Sequence, residues 1–99
     1  MRRHRRAKIV ATLGPSSSSH ECIYALFRAG VDIFRLNFSH GTHEDHLKRF
    51  NIVREIESEC NRPIAILGDL QGPKLRVGNF ENGGATLEVG EEFRLDLSP

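Results

Sequence analysis

The stretch Arg35-Leu36-Asn37-Phe38-Ser39-His40-Gly41 decides the fold. It closes a predicted strand over residues 31–38, and side chains on a strand alternate between its two faces. One face is wholly apolar and is expected to pack under helices; it carries Phe34, Leu36 and Phe38. The other face begins with Val31 and Ile33 and becomes polar at Arg35 and Asn37. Polar side chains at the carboxyl end of a buried strand are typical of ligand sites in parallel α/β folds.

The segments before this stretch predict a strand followed by a helix. Residues 8–13 form a short apolar strand, which Gly14-Pro15 ends. Ser18 and Glu21 have the spacing of a capping box, so the helix is expected to begin there. Its apolar positions share one face, and Gly30 is a typical helix stop; they are Ile23, Leu26 and Phe27.

The segments after it repeat the pattern. Thr42 and Asp45 suit the start of a second helix, which is expected to run to about Asn61. Its apolar stripe is predicted to be Leu47, Phe50, Val53, Ile56 and Cys60. Arg62-Pro63 ends the helix, because the residue before proline avoids helical angles, and residues 64–69 are a third strand.

This alternation of strands and helices predicts a parallel sheet with crossover helices, its strands buried on both faces. The pattern changes after Gly72-Pro73. Residues 86–89 and 93–97 alternate apolar and polar side chains around Gly90, which predicts an antiparallel hairpin. We therefore place a boundary near Gly78, between a parallel unit (1–77) and the start of a β-rich insertion (78–99).

The strand ends are predicted to deliver one polar rim. It comprises Arg35, Asn37, Ser39, Asp69, Lys74 and Arg76. Such a set can bind a polyanion and can hold a small cation through its oxygens. Two interpretations of Arg35 stand side by side: it grips a phosphate or carboxylate ligand, or it pairs with a carboxylate of the chain such as Asp69. Likewise, Asp69 can cap a turn, and Lys74 and Arg76 can be ordinary surface charges.

Composition narrows the function. The chain has 99 residues and a formal net charge of +1, so it carries no bulk basic or acidic signal. No run is long and apolar enough to span a membrane. The basic start at residues 2–6 lacks aromatic residues and is expected to be a solvated tail rather than a nucleic-acid arm. Neither cysteine belongs to a CxxC pair, so reduced, packed thiols in a cytoplasmic protein are expected.

The sequence offers little support for a zinc site or for the common nucleotide-binding loops. His40, His43 and His46 recur every three residues, but such residues drift around a helix and no cysteine is near enough to complete a usual zinc set. There is neither a Walker A loop nor a G-x-G-x-x-G motif, so a nucleotide would not be held by either.

Three motifs together resemble the pyruvate kinase family. Residues 8–15 are similar to its opening strand, residues 35–41 to its second-strand signature and residues 69–76 to its third-strand signature. The motifs follow in family order and spacing, and the likeness runs from about Arg6 to the end. The resemblance implies a TIM barrel interrupted after its third strand by a small β-domain, and transfer of a phosphoryl group from phosphoenolpyruvate to ADP.

The resemblance also implies roles for the rim. Arg35 is the catalytic and substrate-binding residue that holds the phosphate of phosphoenolpyruvate. The loop of Asn37, Phe38, Ser39 and His40, together with Arg76, lies against the ATP or ADP phosphates. A monovalent-cation site is formed by Asn37, Ser39, Asp69 and Leu70. The essential Mg²⁺ or Mn²⁺ has its ligands outside these 99 residues.

One departure from the potassium-requiring pattern is visible. Those members carry threonine, lysine and glutamate where this chain has Leu70, Gln71 and Lys74. In this the chain resembles the potassium-independent branch. The resemblance implies that the ammonium of Lys74 places a fixed positive charge where K⁺ would otherwise bind, and that the parent enzyme needs little or no K⁺. The resemblance further implies a tetrameric cytoplasmic enzyme of which this chain is a part. Since the later catalytic lysine and metal ligands are absent, we expect the chain alone to be inactive and, if folded, to self-associate through its open sheet edge.

Overall fold

The computed structural model describes residues 2–97. Three strands alternate with two helices: β1 (Val10–Leu13), α1 (His20–Ala29), β2 (Ile33–Asn37), α2 (His43–Cys60) and β3 (Ala65–Asp69). The strands pair in parallel in the order β1-β2-β3. Both crossovers are helical, as parallel pairing requires. The predicted parallel sheet is confirmed, with strands one to three residues shorter than expected.

The hydrophobic core lies between the sheet and the two helices. Its buried members are Leu13, Ile23, Phe27, Val31, Phe34, Leu36, Val53, Ile56 and Ile64. Val31 belongs to it because it precedes β2 and so does not follow the strand's alternation. The opposite face of the sheet is open: Val10 is 50% and Leu67 43% exposed. The prediction of strands buried on both faces is therefore wrong for this chain, because both helices cover the same face.

Helix α1 begins one residue later than expected. Its N-cap is Ser19, which is extended and whose hydroxyl accepts a hydrogen bond from the Cys22 amide at 3.1 Å. Ser18 instead ends a 3₁₀ turn over Pro15–Ser17 with helical backbone angles, so its side chain does not face the first helical amides. The predicted stop is confirmed: Gly30, at φ 128°, donates its N–H to the carbonyls of Leu26 and Phe27.

The two ends of α2 agree with local signals in the sequence. Thr42 and Asp45 form the predicted capping box, each side chain accepting from the other's amide. These hydrogen bonds lower the pKa of Asp45. At the other end Asn61 adopts the left-handed conformation (φ 47°) and bonds back to the last turn. Asparagine tolerates that conformation better than most residues, so the helix ends before Pro63.

The buried stripe of α2 differs from the prediction. Val53 and Ile56 are fully buried, but Leu47 is 60% and Phe50 38% exposed. Their places in the first half of the helix are taken by His46 and Arg49, which are 4% and 6% exposed. Burial of polar side chains is tolerated where hydrogen bonds satisfy them, and both residues have such partners.

The basic N-terminus is docked, not a solvated tail. Arg5 donates to the Asp32 carboxylate at 2.7 Å and to the Gly30 carbonyl, and Arg3 donates to the Phe27 carbonyl at 2.5 Å. These guanidinium groups bind carbonyls at the end of α1, where positive charge is also favourable. We name residues 2–7 the N-terminal arm. It lies at the end of the sheet where the central strand β2 begins.

Residues 70–97 carry no strand. The turns that were expected are present, with Asn82 and Gly83 in a 3₁₀ turn and Gly90 at φ 85°. The hairpin ladder is not, so that prediction is wrong; a two-stranded hairpin with nothing packed on it is marginal at best. This segment extends away from the sheet, which gives a radius of gyration of 18.7 Å, against about 13 Å for a compact chain of this length. No helix between residues 2 and 97 could cross a bilayer.

Candidate active site at the strand ends

Arg35 spans all three strands. In the sheet register it lies beside Thr12 of β1 and Leu67 of β3. Its Nη1 donates to the Thr12 hydroxyl at 3.1 Å, and its Nε donates to Oδ2 of Asp69 at 3.0 Å. The second Asp69 bond comes from Nη2, so two N–H groups grip one carboxylate oxygen. Arg35 and Asp69 therefore lie on the same face of the sheet, in contact, as the predicted rim requires.

The Arg35–Asp69 contact is open to solvent. The two side chains are 32% and 45% exposed. Of the two interpretations of Arg35, the structure shows the internal pair. Exposed pairs contribute only about 0–1 kcal/mol to stability, so an anionic ligand that reaches the guanidinium can compete for it. Arg35 also lines the groove described below.

The loop after β2 is held by hydrogen bonds among its own residues and by one to the end of β3. The side-chain oxygen of Asn37 accepts the Ser39 amide at 3.1 Å, and the His40 amide donates to the Asn37 carbonyl at 3.2 Å. The Phe38 amide donates to the carbonyl of Asp69 at 2.9 Å, which extends the β2–β3 ladder by one bond. The turn thus fixes the Asn37–His40 loop directly beside Asp69.

A groove of about 770 Å³ runs over these strand ends. It contains three cations and one carboxylate, which gives a net charge of +2 with His40 neutral. Lys74 and Arg76 enter it from the extended segment that follows β3. All six predicted rim residues line it, and the remaining lining residues are His40, Leu70, Gln71, Gly72, Val77 and Asn79. Such a groove suits a ligand with more than one negative charge.

Phe38 is the exception among the predicted site residues. Its ring lies on the helix side of the sheet, 4.5 Å from the ring of His46. With Leu36, Leu47 and Phe50 it lines a separate apolar groove of about 310 Å³. Its side chain is therefore outside the polar groove, as strand alternation dictates. Only its backbone belongs to the loop beside Asp69.

The histidine trio does not form a metal centre. His46 Nε2 lies 2.7 Å from the His40 carbonyl oxygen, and its Nδ1 lies 3.5 Å from Nη1 of Arg49. Both ring nitrogens are thus engaged, and His43 instead packs edge-on against Phe38. Within residues 2–97, the group whose ligand atoms come within 4.8 Å of one another is His20, Glu55 and Glu59, on the helices.

Two of the four residues predicted to hold a monovalent cation have oxygens that already accept hydrogen bonds within the chain. Asn37 Oδ1 accepts the Ser39 amide, Asp69 Oδ2 accepts Arg35, and the Asp69 carbonyl accepts Phe38. The Arg35 guanidinium thus lies against the Asp69 carboxylate, and Lys74 adds a further positive charge to the same groove. These fixed positive charges make the groove a poor fit for K⁺.

Thr12 is a site residue that the sequence reasoning missed. It lies two residues after Val10 on the open face of β1, and it is polar near the carboxyl end of that strand. The same alternation that identified Arg35 and Asn37 applies to it. The signal was therefore present in the sequence.

Fold and groove together define an α/β protein with a positively charged groove at the carboxyl ends of its parallel strands, which is where α/β barrels place their sites. The family model described as "Pyruvate kinase, barrel domain" matches residues 4–99, and the chain belongs to the pyruvate kinase family. It is 54% identical over 99 residues to a pyruvate kinase of Methylorubrum extorquens, covering 100% of this chain and 21% of that protein.

Two further relatives give similar values. A pyruvate kinase of Buchnera aphidicola is 50% identical over 98 residues, which is 99% of this chain and 20% of that protein. Pyruvate kinase II of Salmonella typhimurium is 50% identical over 97 residues, or 98% and 20%. The chain thus spans about a fifth of the length of the curated relatives it matches.

Proposed function

We propose that this chain supplies the phosphate-binding strand ends of a pyruvate kinase, which moves the phosphoryl group of phosphoenolpyruvate to ADP and yields pyruvate and ATP. The observation that carries the proposal is the convergence of Arg35, Lys74 and Arg76 on one groove over three parallel strand ends. Phosphoryl transfer depends on positioning and on positive charge around the moving group, which is what these side chains supply.

Arg35 is proposed to bind the phosphate of phosphoenolpyruvate. Asp69 accepts from Nε and Nη2 of its guanidinium and Thr12 from Nη1, which holds the plane of the group across the sheet, and about a third of the side chain remains exposed. An arginine held in this way presents paired donors at little further cost in side-chain entropy. His40 and Arg76, with the backbone of the Asn37–His40 loop, are proposed to lie against the nucleotide phosphates.

Mg²⁺ or Mn²⁺ supplies further positive charge on the phosphates when bound. We propose that its ligands lie outside these 99 residues, in the remaining strands of an eight-stranded TIM barrel with an inserted β-domain. The whole protein is proposed to be a cytoplasmic homo-oligomer, a tetramer by its family. The chain alone is proposed to be inactive and, because the outer strands of its sheet have no further strand beside them within residues 2–97, to self-associate through an open sheet edge.

A chimera tests the proposal. The 99 residues replace the matching segment of the Methylorubrum extorquens relative, with which they share 54% identity. Pyruvate formation from phosphoenolpyruvate and ADP within tenfold of that relative's rate is expected. A soluble, folded chimera without turnover would contradict the proposal.

Potassium dependence is tested in the same chimera. We propose that the parent enzyme needs little or no K⁺, because the Arg35 guanidinium already pairs with Asp69 and Lys74 adds fixed charge. Lys74→Glu is expected to create a K⁺ requirement in a titration against a Na⁺-free buffer. Equal rates with and without K⁺ in both proteins would count against the role of Lys74.

A non-catalytic anion-binding module is the second candidate, since the groove forms within the 99 residues themselves. Calorimetric titration of the chain with phosphoenolpyruvate and with ATP separates the two. Binding to the chain together with an inactive, folded chimera would favour the module.

A further inference from the structure

We propose that His46 and Arg49 are positioning residues that tie the loop after β1 and the loop after β2 into one unit beneath the phosphate groove. The inference deepens the proposed function and rests on it for its kinetic consequence. It concerns two side chains that do not line the groove themselves.

A continuous series of hydrogen bonds connects the two loops. His46 Nε2 contacts the His40 carbonyl at 2.7 Å, and Arg49 Nη1 contacts His46 Nδ1 at 3.5 Å. Arg49 Nε then donates to the Ser18 hydroxyl at 2.7 Å, which donates to the Gly14 carbonyl at 2.6 Å. The series starts beside the groove residue His40 and ends at the residue that follows β1.

Both side chains are buried, unlike most histidine and arginine side chains. His46 and Arg49 occupy positions on α2 where apolar side chains would be expected, and they are 4% and 6% exposed. Taking an imidazole and a guanidinium out of water is unfavourable unless their hydrogen bonds are made. Here the bonds are made to loops rather than within the helix, so the free energy of those bonds depends on loop position.

The partners fix the tautomer of His46. A carbonyl oxygen only accepts and a guanidinium only donates. Nε2 must therefore carry the proton that goes to His40, and Nδ1 must accept from Arg49. The position of the His40 carbonyl therefore depends on that of Arg49 through the imidazole, because neither ring nitrogen can change its role without losing a partner.

Gly41 places the loop within van der Waals contact of this pair. Its φ of +76° lies in the left-handed region, and a Cβ built on it would lie 3.4 Å from His46 Nε2 and 3.7 Å from Arg49 Nη1. The Asp45 carboxylate, at 3.6 Å from the same point, is the acidic group that faces the pair. On the sheet side the pair meets Phe38, whose ring is 4.5 Å from His46.

The tautomer is tested on the 99-residue chain by long-range ¹H–¹⁵N correlation of the histidine rings at pH 8. His46 is expected to show only the Nε2–H form, whereas the exposed His4 shows both tautomers. Arg49→Met is expected to remove this preference, and Lys48→Met, its exposed neighbour on α2, to leave it unchanged. A mixture of tautomers at His46 in the unaltered chain would overturn the proposal.

Loop position is tested by amide exchange and by kinetics. His46→Leu is expected to raise exchange of the Ser39 and His40 amides about tenfold, the order expected for losing one hydrogen bond. His46→Gln keeps a donor for the His40 carbonyl and is expected to restore most of the protection. If Leu and Gln behave alike, the positioning role is refuted.

In the chimera, His46→Leu is expected to raise KM for the nucleotide about tenfold with a smaller change in kcat, and His46→Gln to recover it. A change in melting temperature without a KM change would mean a purely structural role and overturn the proposal. If the unaltered chimera is itself inactive, the proposed function fails, while the tautomer and exchange measurements still decide this inference.

Discussion

Two arginine–carboxylate clusters lie at opposite ends of the same sheet. Before β2, Asp32 meets three guanidinium groups: Arg5 at 2.7 Å, Arg3 at 3.6 Å and Arg62 at 3.7 Å. At the end of β3, Asp69 pairs with one guanidinium group within residues 2–97, that of Arg35. The Asp32 side chain is 7% exposed, whereas that of Asp69 is 45% exposed. The residue types are the same, and burial separates their roles.

The difference teaches what each cluster can do. A buried carboxylate surrounded by arginines is costly to disturb, since loss of one partner leaves the others charged and out of water. An exposed pair exchanges its partner for water or an anion at little cost. The Asp32 cluster thus fastens the N-terminal arm to the sheet, and the Arg35–Asp69 pair keeps an arginine oriented yet available to a ligand.

Removal of the Arg35 guanidinium from the exposed Arg35–Asp69 pair should have the largest effect, and that effect should be on catalysis. Arg35→Met in the chimera is expected to lower kcat/KM about 10³-fold, as loss of a charged group that stabilises the transition state typically does. The melting temperature should stay within about 2 °C, since an exposed pair contributes little. A loss of less than fivefold in kcat/KM would contradict the role of Arg35.

A change in the buried Asp32 cluster should lower the stability of the fold instead. Asp32→Asn is expected to lower the free energy of unfolding by about 3 kcal/mol, because Arg3, Arg5 and Arg62 then face one another without their carboxylate. Urea unfolding followed by circular dichroism measures the change. A loss as small as that of Asp69→Asn would remove the distinction between the two clusters.

Acid should reduce the stability that the Asp32 cluster contributes to the fold. The Ile9 amide and then Arg5 hold the pKa of Asp32 below its usual value, so its charged form stabilises the folded state. That contribution is complete above the ordinary aspartate pKa of about 3.9 and is lost as the pH falls through the lower folded value. The difference in unfolding midpoint between the chain and Asp32→Asn should therefore shrink from pH 6 to pH 2. A constant difference would refute this.

The smallest effect is expected at Asp69. Asp69→Asn removes the charge that holds Arg35 and should cost at most about 1 kcal/mol of stability. It should also raise the affinity of the chain for inorganic phosphate a few-fold, because the freed guanidinium no longer has an internal anion. Calorimetry with phosphate checks this, and weaker binding would show that Asp69 serves mainly to orient Arg35.

Local signals in the sequence predicted the fold well. Gly30 and Thr42 act through their own backbone angles and nearest amides, so helix ends could be placed within about a residue. The face shared by Arg35 and Asn37 followed from strand alternation alone. Their meeting with Asp69 needed only the parallel order of the strands, which the alternation of elements predicted.

Long-range contacts could not be predicted in this way. Arg3 and Arg5 reach carbonyls more than twenty residues away, and nothing near them in sequence distinguishes a docked arm from a solvated one. The buried pair on α2 was missed for a related reason. A hydrophobic pattern favours Leu47 and Phe50 for the core, whereas His46 and Arg49 are buried through bonds to loops that the pattern does not contain.

The absence of backbone pairing along most of residues 70–97 has a consequence for protease sensitivity. Chain without a ladder fits readily into a protease cleft, whereas the strands and helices of residues 10–69 do not. Brief trypsin treatment should therefore cut first after Lys74 or Arg76 and leave a resistant remnant of about 8 kDa. A remnant that ends at Lys74 would keep Arg35, Asp69 and Lys74 in the groove but lose Arg76, because trypsin cuts on the carboxyl side of the basic residue.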